Sequence, residues 1–127
     1  MLFRVADQSF TLRDKQIYET VLAEVFKKKQ ITDYSKTDFN DFLVSRLSLK
    51  EADLFQISFD KKTVSEDDRK KIGFSKEEIE REVLAISKAQ ALIDIKETQH
   101  RDASRFNSWF ELIKRKYVVR VKANEIK

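Results

Sequence analysis

His100 is the only imidazole in the chain and there is no cysteine, so nucleophilic or metal chemistry would have to be assembled around a single residue. A zinc site draws several ligands from His, Cys and carboxylates at definable spacing, and one histidine without a thiolate does not supply them. Ser, His and Asp all occur, which formally permits a Ser-His-Asp relay. His100, however, lies in the polar stretch KETQHRD with no strained turn to present a serine, and it reads as a solvated side chain. The adjacent carboxylates Asp67-Asp68 and Glu77-Glu78 fall at the starts of expected helices, where they face the positive end of the helix dipole without needing a cation. A chain with one glycine has no Gly-rich loop to cradle a phosphate. Carboxylate pairs of the glycosidase kind are not distinctive where 38% of residues are charged. No catalytic residue, metal ligand set or cofactor is therefore expected, and the reading is of a binding protein rather than an enzyme.

Charge narrows the partners. Twenty-six basic side chains stand against 22 acidic ones, leaving a formal +4 over 127 residues, and the basic runs Lys27-Lys28-Lys29 and Lys70-Lys71 each lie close to acidic neighbours. Phosphate backbones select an unbalanced basic face, so no nucleic acid is expected. No apolar run approaches the roughly 20 residues a bilayer requires, and no membrane insertion is expected. Nor does an apolar signal segment follow Met1, which leaves a cytoplasmic protein or an exported one whose leader is removed before Leu2. With no disulfide possible, redox chemistry does not choose between these compartments.

The elements that would have to position any binding surface follow from periodicity. Leu2, Phe3 and Val5 alternate with Arg4, Asp7-Gln8 make a polar turn, and Phe10 and Leu12 alternate beyond it, which predicts a short β-hairpin. Thr11 or Leu12 opens a helix with Asp14 in its first turn, an apolar stripe of Ile17, Tyr18, Val21, Leu22, Val25 and Phe26, and Lys27-Lys28-Lys29 in its last turn. Thr37 caps a second helix carrying Phe39, Phe42, Leu43 and Leu47. Ser48 and Glu51 have capping-box spacing, which predicts a bend and a third short helix with Ala52, Leu54 and Phe55. Residues 56–64 read as a loop whose apolar side chains lean on the helices.

Ser65 caps a short helix that ends at Gly73, suited to the left-handed position there. Ser75 and Glu78 form a second capping box, with Phe74 and Ile79 as a hydrophobic staple. The helix from Lys76 to about His100 would span about 36 Å, long enough to project as an arm. Asp102 or Ala103 opens a last helix with Phe106, Trp109, Phe110 and Ile113 on one face, followed by a β-branched strand over Tyr117 to Lys122. A hairpin is marginal alone, so the C-terminal strand is expected to join it in a three-stranded sheet, burying Val119 and either Val121 or Val118. The fold class is mostly α with a small β-sheet in one domain: segments 1–14 and 106–122 close the fold, and 15–105 supply the helical body and arm.

These terminal segments resemble a known family. RVADQSFTLRD looks like the first strand, turn and helix entry of the chaperone domain in SurA-type periplasmic peptidyl-prolyl isomerases. Phe106, Trp109, Phe110, Ile113, Lys114 and Arg115, followed by Tyr117, Val118 and Val121, are similar to that family's final helix and strand. The resemblance implies a helical chaperone domain that holds unfolded or partly folded proteins in an apolar groove without ATP. The family's parvulin isomerase modules are rich in glycine and carry active-site histidine, and a chain with one of each has no room for them, so proline isomerisation does not carry over.

Holding a client needs apolar surface ringed by charge. Ten Phe, three Tyr and one Trp exceed what a small core plainly requires, and Tyr34, Phe39, Phe55, Phe59 and Phe74 fall in the irregular middle of the chain, where a peptide-binding groove is expected. The expectation is a periplasmic, holdase-like binder of unfolded or extended polypeptide. The alternative is a structural or adaptor protein that forms a homodimer or docks one fixed partner through its long helix.

Overall fold

The computed structural model describes residues 2–6 and 8–121. Within them the order is β1 (Phe3–Val5), β2 (Gln8–Phe10), α1 (Leu12–Glu24), α2 (Asp38–Leu54), α3 (Glu66–Ile72), α4 (Lys76–Gln99), α5 (Ala103–Lys116) and β3 (Val119–Val121). The fold is mostly α with one small antiparallel sheet, in the order β2-β1-β3. β1 is central: Phe3, Arg4 and Val5 stand opposite Phe10, Ser9 and Gln8 on one side and opposite Val121, Arg120 and Val119 on the other. Both ends of the chain thus meet in one sheet. Asp7 of the expected turn and Lys122 at the expected strand end lie outside the described residues.

Alternation decides which face of the sheet is dry. Phe3 and Val5 are fully buried, whereas Arg4 and its two cross-strand neighbours, Ser9 and Arg120, face solvent. Val119 is half-buried against the core, but Val118 and Val121 stay exposed, contrary to expectation. Val118 takes the left-handed turn between α5 and β3, at φ 51°, and Val121 ends β3, which is an edge strand among the described residues.

The helices begin where their caps place them. Thr11 accepts the Asp14 N–H at 3.2 Å while Asp14 accepts the Thr11 N–H at 2.8 Å, and Ser75 and Glu78 repeat that reciprocal arrangement at α4. Thr37, Ser65 and Asp102 cap α2, α3 and α5. Gly73 ends α3 in the left-handed conformation, φ 78°.

Three expectations are corrected. Lys27-Lys28-Lys29 does not form the last turn of α1, which stops at Glu24: Lys27 adopts a left-handed backbone and the Lys28 N–H returns to the Leu22 carbonyl at 3.2 Å. Only a glycine would have advertised that turn in the sequence. The predicted break at Ser48 is also absent, and α2 runs unbroken to Leu54. Ser48 is buried with an unbonded hydroxyl, while Glu51 turns away from it to accept from Lys116 Nζ at 2.6 Å and Tyr117 Oη at 2.5 Å.

Finally, α4 is no arm. Ile79, Val83, Ile86, Ala89, Leu92 and Ile93 are all buried, and α4 packs against α2, α1 and α3 as the axis of the body. A helix as long as the domain is wide serves equally well through its middle, and the apolar positions on more than one side of α4 choose that placement. One hydrophobic cluster joins all three layers, from Phe3 and Phe42 through Ile86 to Phe106 and Ile113.

Candidate functional site

Where α1 and α2 start beside β3, their first turns enclose a groove of about 590 Å³. Leu2, Phe39 and Leu43 line it together with Leu12 and Val121. Leu12 is the first residue of α1, and the Thr11 cap fixes it on the outer side of the turn, where it remains 58% exposed. Phe39, the second residue of α2, lies in that helix's first turn and packs edge-on against Phe3, 5.7 Å between ring centroids. The rim is charged: Lys15, tied to Glu19 at 2.9 Å, Asp38, and Lys114, tied to Glu111 at 2.6 Å. The channel is thus apolar along its floor and bordered by charges of both signs.

Of the five aromatics expected to share a groove, only Phe39 lies here. Tyr34 stacks on Phe106 at 5.0 Å and borders a smaller cleft of about 220 Å³ with Phe110. Phe59 flanks a third depression with Phe26 and lies under Lys88. Phe74 sits beneath the Arg13 guanidinium, 5.2 Å away. Phe55 ends α2, 58% exposed, with Lys116 Nζ 5.2 Å from its ring. The five are thus dispersed over the molecule. Leu2, Leu12 and Leu43 were not singled out by the sequence, because each fits an ordinary amphipathic pattern and only the meeting of two helix starts turns them toward one channel.

Two buried polar networks tie the helices behind these clefts together. Asp41, on α2, accepts from Tyr18 Oη at 2.5 Å and from the backbone N–H groups of Ile31 and Thr32 at 2.9 and 3.4 Å. It thereby pins the 25–37 connection across α1 and α2. Burial, reinforced by the neighbouring Asp41 carboxylate, pushes the Tyr18 phenol far above its ordinary value. Burial and the hydrogen bond to Glu51 likewise raise Tyr117. In the second network Arg46 pairs with Glu82 across α2 and α4, both nearly inaccessible. Burial raises the Glu82 carboxyl and the Arg46 charge opposes that shift. At the surface, Glu78 is held low by the Ser75 backbone N–H and Arg13, and Glu80 by Lys61 and Arg69.

Among the described residues no three His, Asp or Glu side chains converge to hold a metal ion, and no helix is long and apolar enough to cross a membrane. Family models, curated proteins and solved structures return no match to this chain. Function therefore rests on the geometry.

Proposed function

We propose that this chain is a non-enzymatic, holdase-like domain that binds unfolded or extended polypeptide of the bacterial envelope by seating apolar side chains in the groove between α1, α2 and β3. The observation that carries the reading is the open apolar channel beside Leu12 and Val121 in a chain whose surface is otherwise densely charged. Support also comes from the closing sheet, since a C-terminal strand returning to an N-terminal hairpin is the arrangement that the resemblance to SurA-type chaperone domains implies. The periplasmic setting rests on that resemblance alone.

Light scattering of two unrelated, chemically unfolded clients tests the proposal. The chain should suppress the aggregation of both, and Leu12→Glu should weaken suppression severalfold without loss of helicity, because Leu12 is exposed and an acidic residue is welcome in a first helical turn. Activity toward one client at a fixed stoichiometry would point instead to an adaptor.

A further inference from the structure

On the other edge of the sheet, β2 borders a second cleft of about 470 Å³, walled by α1, α2 and α4. At its wall lies the Arg46–Glu82 pair, each side chain only 9% exposed. Arg46 is stacked over the Phe42 and Tyr18 rings at 5.1 and 5.5 Å and donates through Nε to Ser45 Oγ at 3.2 Å. A buried ion pair is weak evidence for stability, since apolar residues of like volume do as well or better.

Among the described residues, three of the four carboxylates around this cleft are paired with cations, and the fourth, Asp14, meets only the neutral Thr11. Asp14 accepts the Thr11 N–H at 2.8 Å, Glu78 accepts from Arg13 at 2.9 Å, Asp53 pairs with Lys88, and Glu82 pairs with Arg46. Two cations are not paired: among the described residues Lys50 and Arg81 have no ion-pair partner, and there Arg46, though paired with Glu82, makes no hydrogen bond through Nη1. Two unpaired cations thus stand against one unpaired acid, Asp14, which leaves a positive excess at the cleft. Beside it runs the free edge of β2, whose outward N–H and C=O groups can accept one more strand.

We infer that this cleft binds a carboxylate-bearing extended peptide, laid along the outer edge of β2 with its carboxylate directed to Arg46, Lys50 and Arg81. The inference rests on the polypeptide-binding reading and adds to it a preference for acidic segments, at a site separate from the apolar groove. The carboxylate is that of an Asp or Glu side chain.

Fluorescence anisotropy with the full chain decides it, using three labelled peptides of one alternating apolar sequence: amidated and ending in two Glu, amidated and ending in two Gln, and the latter with a free C-terminus. The Glu peptide should bind at least tenfold tighter than the amidated Gln peptide, with the advantage shrinking as salt rises. No gain is expected for the free-carboxyl peptide, and a gain there equal to that of the Glu peptide would overturn the assignment to acidic side chains. Arg81→Glu should remove most of the advantage, and Lys50→Gln with Arg81→Glu all of it, while Leu12→Glu, in the other groove, should weaken the amidated Gln peptide and leave the Glu peptide's binding through the cleft in place. Neutral and both acidic peptides binding equally, or an advantage that survives the double variant at native helicity, overturns the inference and leaves the apolar groove standing. Failure of every peptide to bind overturns the polypeptide reading as well.

Discussion

Asp41 shows what one buried carboxylate can hold. Its partners are the Tyr18 hydroxyl and two backbone N–H groups of a connection without regular structure, so replacing it by alanine strands three donors in a dry interior. Each unmet donor costs about 1–3 kcal/mol, and Asp41→Ala should lower stability by about 3 kcal/mol or more, read as a lower urea midpoint with an unchanged slope. Tyr18 carries the pH dependence. Its folded-state pKa is raised by burial above the unfolded value of about 10, so its contribution is fully present below pH 10 and is lost as pH rises, at about 1.4 kcal/mol per pH unit. Tyr117 is raised as well and acts in the same direction. Relative to the parent, Tyr18→Phe should flatten the decline of stability between pH 10 and 12. Parallel curves for the two proteins would show that the phenol ionises freely in the fold.

The helices pose a sharper contrast between pattern and packing. Ser48-Leu49-Lys50-Glu51 and Ser75-Lys76-Glu77-Glu78 share the same Ser-x-x-Glu spacing, yet only the second is a cap. At Ser75 the chain arrives from a left-handed glycine and a half-buried phenylalanine, so the helix must start there. At Ser48 no glycine or proline interrupts the preceding turn, and Glu51 is captured by Lys116 and Tyr117 from α5, more than sixty residues away. Local spacing could not reveal that capture. Ser75→Ala should cost about 1 kcal/mol in chemical denaturation. Ser48→Ala should be neutral or stabilising by up to about 1 kcal/mol, since it removes a buried unbonded hydroxyl and installs the best helix former. An equal loss at both sites would mean that Ser48 also caps.

For the molecule as a whole, closure of the chain on itself is the decisive event. β1 has only three residues, and without β3 on its far side it would belong to a two-stranded hairpin, which is marginal in water. Arg4 and Arg120 stand directly opposite each other on the exposed face, and the chain has no cysteine of its own. Replacing both arginines by cysteine should therefore give a clean intramolecular disulfide on oxidation, seen as a mobility shift that reductant reverses. Because the bridge ties off nearly the entire chain, loop-closure entropy predicts a gain of about 4–5 kcal/mol over the reduced form. Removal of two like charges from facing positions should make even the reduced protein slightly more stable than the parent. Failure of the pair to oxidise, or oxidation only between molecules, would refute the closed sheet.

Period-two and period-3.6 patterning, together with the polar residues that cap helices, determined from the sequence alone which stretches would be helical and that a hairpin and a terminal strand would form, because those signals act within a few residues of one another, although they divided into six helices what the fold builds as five among the described residues. The joining of the two ends was legible too, since a lone hairpin and a lone β-branched strand have no other partners. Tertiary structure alone decided that α4 runs through the middle, that α2 does not bend at Ser48, and that Phe39 faces a groove while Tyr34, Phe55, Phe59 and Phe74 scatter elsewhere. These outcomes depend on which apolar faces meet and on contacts between residues far apart in the chain. Side-chain type restricts such contacts without specifying them.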